Sequence, residues 1–215
     1  MSGIGWFSGG VTSAVAIKIM LDKGEDLDLY YFETGSHHKD HERFIKDCEK
    51  WYNKKINIVQ NEKYKSVDDV ISKRRYINGP AGALCTFELK KKLRQDLEKN
   101  TSYDFQVFGF EDTKKEINRA IRFKQQYPEA KPVFPLIEAG LSKEDCKKIV
   151  IEAGIKLPAM YLLGFNNSNC IGCVKGGKKY WGAIKYHFPE VFNLMRERER
   201  ERSVDPALKV LSWMS

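Results

Sequence analysis

Near its start the chain reads Ile4-Gly-Trp-Phe-Ser8-Gly9-Gly10-Val11-Thr12-Ser13, and an aliphatic segment without a helix breaker follows over residues 14–21. The first four of these residues are typical of a short strand, and the aliphatic segment is typical of a helix. A strand, a glycine loop and a helix in this order open an α/β nucleotide-binding unit. The glycines leave backbone N–H groups free and the serines add hydroxyls, so the loop is predicted to bind phosphate. It lacks the Gly-Lys-Ser/Thr ending of a Walker A motif.

The rest of the chain continues this alternation. Apolar patterns predict further strands over residues 27–32, 56–59 and 105–110, and helices over residues 39–52, 67–74, 87–97, 116–126 and 142–153. Ser142 and Asp145 resemble a capping box, and the alternating charges of residues 196–202 predict a solvated final helix. The pattern predicts an α/β fold, a parallel sheet with helices on both faces. We expect a nucleotide-binding domain over residues 1–140, with residues 141–215 as a helical C-terminal extension of the same compact unit.

The ends of the predicted strands carry the candidate ligand-binding residues. Parallel sheets bind ligands at the carboxyl ends of their strands, so the loops at Ser8, at Glu33-Thr34-Gly35 and at Gly109-Phe110 are expected to share one site. Arg119, just beyond this last loop, could neutralise a phosphate or sulfate, or could lie on an ordinary solvated helix face.

Charge and composition restrict the partners and the location. The chain has 37 Lys and Arg against 29 Asp and Glu, and the net charge of +8 favours anionic partners such as nucleotides or nucleic acid. Hydrophobic residues make up 42% of the chain and charged residues 31%, which argues against a disordered protein. No apolar run reaches the ~18 residues of a membrane span. Without a secretory signal pattern, we expect a cytoplasmic protein that binds no membrane.

Five cysteines suggest metal or redox chemistry rather than disulfides, because the number is odd and the expected compartment is reducing. The tight turn Cys170-Ile-Gly-Cys173 lets two thiolates reach one metal, and Cys85 is the best candidate for a third ligand. Cys48 and Cys146 lie among apolar neighbours and are interpreted as core residues. Three histidines follow the second strand: His37, His38 and His41. They are candidates for contacts with phosphate or substrate, or for metal ligands.

These motifs resemble a known superfamily. Ser-Gly-Gly-x-x-Ser after the first strand is similar to the PP-loop of the adenine nucleotide α-hydrolases, which include adenylylsulfate and phosphoadenylylsulfate (PAPS) reductases and tRNA thiolases. The resemblance continues through Glu33-Thr-Gly35, Cys85-Thr-Phe-Glu-Leu-Lys90 and Gly109-Phe-Glu-Asp112, over about residues 3–175. It implies that ATP or an adenylyl nucleotide binds, with Mg²⁺ as a candidate companion. The implied contacts are Ser8, Gly9, Gly10, Val11, Thr12, Ser13, Glu33, Thr34, Gly35, Gly109 and Phe110, and the position of Arg119 adds it as a candidate contact.

The resemblance also implies a [4Fe–4S] cluster held by Cys85, Cys170 and Cys173. The reductases hold such a cluster with a Cys-Cys pair and a later Cys-x-x-Cys, but Leu84 stands at the first position of the pair, so three thiolates match. In the thiolase branch, three-cysteine clusters are thought to hold sulfide at the open iron. A structural zinc site with His187 or His38 as the fourth ligand is the alternative.

The leading functional hypothesis is therefore a PP-loop enzyme that transfers sulfur, with an iron–sulfur cluster, to a nucleic-acid base in tRNA or DNA. A PAPS reductase-like enzyme is an alternative, although no cysteine follows Cys173 to serve as the C-terminal nucleophile of that branch. A non-catalytic nucleotide-binding accessory protein with a structural zinc site is a further alternative, favoured by Thr12 at the position where the usual loop has Asp. The resemblance also makes a homodimer a fair expectation.

Overall fold

A parallel sheet forms the centre of the molecule. The computed structural model describes residues 2–80 and 82–203. Its strands are β1 (Ser2–Phe7), β2 (Asp26–Glu33), β3 (Ile56–Gln60), β4 (Phe105–Val107) and β5 (Pro132–Val133). In space they follow the order β3-β2-β1-β4-β5, all parallel. The chain therefore reverses its direction of travel across the sheet between β1 and β4, and sheets of this kind bind ligands outside the carboxyl ends of the two strands at such a point.

Helices connect the strands and continue beyond them. They are α1 (Val11–Asp22), α2 (His41–Tyr52), α3 (Val67–Arg74), α4 (Leu84–Thr86), α5 (Lys92–Asn100), α6 (Lys114–Gln126), α7 (Pro135–Glu138), α8 (Lys143–Glu152), α9 (Ala159–Leu162), α10 (Lys178–His187) and α11 (Pro189–Ser203). A π-helical turn (Phe87–Lys91) joins α4 to α5, and a 3-10 turn (Pro128–Ala130) follows α6. No helix within the described ranges combines the length and hydropathy that a membrane crossing requires.

Both faces of the sheet are covered, as the sequence predicts. On one face, Phe7, Leu29 and Val107 pack against buried side chains of α1, α2 and α8. On the other, Trp6 packs against a buried cluster that includes Ala120 of α6. Side-chain alternation along β1 sends Phe7 and Trp6 to opposite faces, so one strand serves two cores. Each buried aliphatic or aromatic side chain contributes about 1.5–3 kcal/mol, and the sheet is thereby fixed under the loops at its carboxyl edge.

A further core lies beside the sheet and includes residues of α3, α10 and α11. Val70, Trp181, Ile184 and Met195 are buried there together with Cys85. This core brings Cys85 and the Cys-x-x-Cys segment before α10 into one neighbourhood, although their positions in the sequence are far apart.

Several local predictions are confirmed, and others need correction. The capping box of Ser142 and Asp145 is present, and Cys48 and Cys146 are fully buried. The strand predicted over residues 105–110 ends at Val107, because the next residues turn toward α1. The helix predicted over residues 87–97 begins three residues earlier, at α4.

The charged C-terminal run is only partly solvated, which corrects the sequence prediction. Glu197, Arg200 and Glu201 are exposed, whereas Arg198 is half-buried and its Nε donates to Asp68 of α3 at 2.8 Å. One side of α11 therefore packs on α3, because every third or fourth residue of a helix faces the same neighbour.

Candidate active site at the carboxyl edge of the sheet

The loop after β1 is shaped by its own serines. The buried hydroxyl of Ser13 donates to the carbonyl of Gly10 at 3.0 Å and accepts the N–H of Ser8 at 3.0 Å. The hydroxyl of Ser8 lies 2.9 Å from that of Ser13, and Ser8 itself is exposed. Ser13 therefore closes the loop from inside, and the exposed Ser8 remains available to a ligand.

Two glycines of the predicted site are required by the close packing around them. Gly9 has a φ of 76°, in the left-handed region, and a Cβ there would overlap the imidazole of His41. At Gly109, a Cβ would lie 2.6 Å from the nitrogen of Ser13 and 2.7 Å from its Cα. The chain after β4 therefore touches the backbone at the start of α1, and the structure brings the Ser8 and Gly109 loops together as expected.

Tyr161 is a neighbour of this loop that the sequence analysis missed. The N–H of Val11 donates to the Tyr161 hydroxyl at 3.4 Å. The segment that carries Tyr161 is fixed because the N–H of Ala159 donates to Asp40 Oδ2 at 2.8 Å, while Arg43 donates to the carbonyl of Lys156 at 3.0 Å. No local pattern could identify this contact, since Val11 and Tyr161 are 150 positions apart.

The segment after β2 faces the cysteines. Glu33 accepts the N–H of Gly35 at 2.6 Å and lies 3.3 Å from Nδ1 of His37. Burial would raise the pKa of Glu33, but the hydrogen bonds from His37 and Gly35 outweigh it and lower the pKa to about 2. The hydroxyl of Thr34 lies 3.1 Å from Sγ of Cys170. The predicted role of Glu33, Thr34 and Gly35 in lining adenosine stays a prediction.

Three thiols line one cavity of about 640 Å³, those of Cys85, Cys170 and Cys173. Burial would raise the pKa of Cys170, but the hydrogen bond with His37 and the charge of Lys90 lower it to about 6. Burial, and next the charge of Cys170, raise the pKa of Cys85 to about 11. Of these thiols, Cys170 therefore carries the negative charge most readily.

The Cys-x-x-Cys turn is held by Tyr180 of α10. Its hydroxyl donates to the carbonyl of Cys170 at 2.6 Å and accepts the N–H of Cys173 at 2.9 Å. Gly172, between the cysteines, has a φ of 79°, which favours glycine there. Tyr180 was another residue missed by the sequence analysis, although it lies only seven residues after Cys173.

The described side chains do not by themselves form a metal site. Within residues 2–80 and 82–203, no three or more His, Cys, Asp or Glu side chains are arranged to hold a metal ion. His38 and His187 do not line the thiol cavity. Instead, His38 packs edge-on against Phe188, and His187 lies beside Phe165. The structure therefore does not bring either candidate fourth zinc ligand to the cysteines.

His37 and His41 form a bridge between the thiol cavity and the glycine loop. Nε2 of His37 lies 3.8 Å from Sγ of Cys170, and its ring stacks on that of His41 with the centroids 4.5 Å apart. The ring of His41 in turn lies against Gly9. The glycine loop and the thiols are thus separated by two imidazoles.

Phe110 and Arg119 lie at the far side of the β4 loop. The guanidinium of Arg119 lies 4.2 Å from the ring centroid of Phe110 and bonds Glu116 at 3.0 Å. Phe110 is buried with Phe123 and Phe134. Arg119 therefore already has an aromatic and an acidic partner, and its predicted contact with phosphate or sulfate stays a prediction.

The fold and this loop define the class as a PP-loop protein of the adenine nucleotide α-hydrolase type, which confirms the resemblance seen in the sequence. Residues 4–178 match the model of a family described as the phosphoadenosine phosphosulfate reductase domain. This match covers most of the chain, and the chain belongs to that family.

A solved structure supports the fold. The chain is similar to the PAPS reductase from Candida auris in its phosphate complex, with 14% identity and a TM-score of 0.57 over 78% of this chain and 80% of that one. It is also similar to a predicted tRNA methyltransferase subunit from Methanocaldococcus jannaschii, with 16% identity and a TM-score of 0.45 over 88% of this chain and 87% of that one. No curated protein sequence matches the chain.

Proposed function

We propose that this protein binds ATP or a related adenylyl nucleotide on the Ser8–Ser13 loop and transfers sulfur to a nucleic-acid base at the cavity of the three thiols. The observation that carries the proposal is the common cavity of Cys85, Cys170 and Cys173 at the carboxyl end of β2. This strand lies next to β1, whose carboxyl end carries the glycine loop. A nucleotide and a sulfur centre would therefore meet at one edge of the sheet.

The nucleotide half of the proposal depends on the start of α1. Gly10 is the N-cap residue of this twelve-residue helix and has no side chain to accept its first N–H groups, although the Tyr161 hydroxyl accepts that of Val11. A phosphate at this point would accept the N–H groups that follow and meet the positive end of the helix dipole. Adenylylation of a base carbonyl oxygen releases pyrophosphate, and sulfide that attacks the same carbon then releases AMP together with that oxygen.

The donor set fits a cluster better than a single zinc ion. Zinc needs all its ligands at about 2.0–2.3 Å from one point, and the described thiols and histidines do not converge in this way. The cavity of about 640 Å³ that Cys85, Cys170 and Cys173 help to line has room for a group of several atoms. A [4Fe–4S] cluster held by these thiolates would supply the sulfur chemistry. Around it, Lys90 and Lys175 offer positive charge and Thr34 offers a hydroxyl near Cys170.

The lining of the same cavity supports an anionic substrate. Among its described lining residues are Lys90, Lys175, Lys178 and Lys179, and none is Asp or Glu. Asn166, Asn167 and Asn169 add amide groups, and Phe165 and Tyr180 add aromatic rings. Lysines bind backbone phosphates, while aromatic rings stack on unpaired bases, so this lining suits one exposed nucleotide of a nucleic acid.

Metal analysis of protein purified without oxygen tests the sulfur centre. We expect about four irons and four sulfides per chain, lost in Cys85→Ala, as a three-cysteine [4Fe–4S] site requires. Cys48→Ala is the matched control, because Cys48 is fully buried in the core of the sheet and away from the cavity. Zinc in place of iron, or iron retained by Cys85→Ala, would contradict the proposed site. Pyrophosphate release that depends on added tRNA or DNA tests the transfer.

A reductase reaction is the second candidate. It is favoured by the family match and by the distance of 3.8 Å between Nε2 of His37 and Sγ of Cys170. Sulfite release from PAPS with a dithiol reductant would support it. The same assay without nucleic acid separates it from base thiolation. Nucleotide binding without turnover in either assay would favour an accessory protein, as Thr12 in the loop suggests.

A further inference from the structure

His41 carries an unpaired polar atom at the glycine loop. Its side chain is 5% exposed, and Nε2 has no hydrogen-bond partner among the described residues. The edge of the ring formed by Cε1 and Nε2 faces Gly9, where a Cβ would overlap both atoms. Buried polar groups normally have partners, so a lone nitrogen at this place indicates a ligand that the protein alone does not provide.

The position of His41 is fixed by contacts that do not involve Nε2. It is the first residue of α2, its N–H donates to the carbonyl of His38 at 2.9 Å, and its ring stacks on that of His37 and lies tilted against that of Tyr31. Arg43, bonded to the N-cap residue Asp40, holds the same turn. The ring is therefore oriented toward the loop in the absence of any ligand, and little side-chain entropy is lost when a ligand binds.

We propose that His41 is a phosphate-binding residue, whose Nε2–H donates to an oxygen of the nucleotide phosphate held at Gly9 and the start of α1. The proposal rests on the nucleotide-binding function proposed above and adds to it a side-chain contact outside the glycine loop. Phosphate is the ligand class that fits, because the other groups at this point are backbone N–H donors and the positive end of a helix. The described residues place no carboxylate in contact with Nε2, as a shared metal site would need.

The protonation state of the His41 imidazole suits a hydrogen-bond donor to phosphate. Burial, and next the charge of His37, lower the pKa of His41 to about 3, so the ring is neutral and donates through one N–H. A neutral donor adds a directional hydrogen bond without a second fixed charge. It also connects the phosphate, through the stacked His37, to the thiol of Cys170.

Calorimetric titration with AMP and with adenosine tests the contact, because the two ligands differ only in the phosphate. His41→Phe keeps a ring and removes the donor, and we expect it to weaken AMP binding about 10-fold or more, as the loss of a hydrogen bond to a charged group does. Adenosine binding stays unchanged. His41→Gln, which keeps an N–H, restores most of the AMP affinity. His187→Phe, at a half-buried histidine outside the site, should leave the affinity for both AMP and adenosine unchanged.

Nitrogen NMR of the wild-type imidazoles tests the same contact without a variant. The Nε2 resonance of His41 should shift on addition of AMP and stay in place with adenosine. An equal loss of AMP and adenosine affinity in His41→Phe, or an unmoved resonance on AMP binding, overturns the proposal while leaving nucleotide binding intact. A wild-type protein that binds neither ligand overturns the proposed function itself, and with it this inference.

Discussion

Thr34 and Cys170 are 136 positions apart in the sequence, yet the hydroxyl oxygen of one lies 3.1 Å from the sulfur of the other. A backbone hydrogen bond beside them, from the N–H of Ile171 to the carbonyl of Ser36 at 2.7 Å, joins the same two segments. The end of β2 and the Cys-x-x-Cys turn are thereby fixed to each other. Groups that bond a metal-ligating atom orient it and tune its chemistry, so Thr34 is expected to influence whatever the cysteines hold.

Replacing Thr34 by Val removes the hydroxyl and keeps the shape. For protein that holds the proposed cluster, we expect Thr34→Val to lose iron faster in air than the wild type, by about 10-fold, since groups bonded to metal ligands contribute about this much to metal retention. Decay of the visible absorbance measures the rate. Thr101→Val, at the end of α5, is the control. Identical decay of Thr34→Val and wild type would contradict this role.

Tyr180 contributes through two hydrogen bonds to the backbone of the Cys-x-x-Cys turn. Tyr180→Phe leaves the N–H of Cys173 and the carbonyl of Cys170 without this partner, and we expect the free energy of unfolding to fall by about 1–3 kcal/mol. Urea unfolding measures it. Tyr186→Phe, at a ring that is 82% exposed, should change stability by less than about 0.5 kcal/mol. Equal effects of the two substitutions would show that the hydroxyl bonds of Tyr180 contribute nothing.

Gly109 allows the β4 loop to touch the glycine loop. A Cβ would lie 2.6 Å from Ser13 N and 2.8 Å from the carbonyl carbon of Thr12, so Gly109→Ala must displace the start of α1. We expect a loss of about 1–3 kcal/mol in stability and a loss of AMP binding. Gly182→Ala is the matched control, since a Cβ there meets no atom within 4 Å and alanine favours a helix by about 1 kcal/mol. AMP binding by Gly109→Ala at wild-type affinity would refute the predicted effect.

The stability of the protein should depend on pH through His41. Its pKa falls from 6.5 to about 3 on folding, first by burial and then by the charge of His37. Between these values the unfolded chain binds more protons, so the free energy of unfolding decreases as the pH falls from 6.5 toward 3. The slope from this residue approaches about 1.4 kcal/mol per pH unit.

Urea unfolding across this pH range measures the slope. We expect His41→Gln to lose stability less steeply than the wild type as the solution becomes acidic, because glutamine does not titrate. Parallel curves for wild type and His41→Gln would contradict the assignment.

The lysines of the thiol cavity should determine how salt affects nucleic-acid binding. The double variant Lys175→Ala with Lys179→Ala removes two phosphate contacts. We expect the slope of log affinity against log salt to become less negative by roughly 1.4 to 1.8. Lys55→Ala with Lys148→Ala removes the same charge at side chains that are 89% and 71% exposed and outside the cavity. Its slope should match that of the wild type. Equal slopes for both double variants would argue that nucleic acid does not enter by this cavity.

Contacts between neighbours in the sequence account for the confirmed predictions. The Ser8–Ser13 loop, the αβ alternation and the Ser142–Asp145 capping box each depend on residues a few positions apart, whose spacing follows directly from helix and strand geometry. Strand limits were less certain: β4 ends at Val107 because Gly109 must pass close to Ser13, a contact that no local pattern contains.

The sequence by itself determined the class of fold, the position of the phosphate loop and the three cysteines that are candidate metal ligands. It could do so because periodicity, glycine spacing and Cys-x-x-Cys are local properties of the chain. Only the tertiary structure decided which groups surround them. It brought Thr34 to Cys170, Tyr161 to Val11, and the lone Nε2 of His41 to Gly9. Such contacts depend on how helices from distant parts of the chain pack on one sheet, and packing is a property of the whole fold.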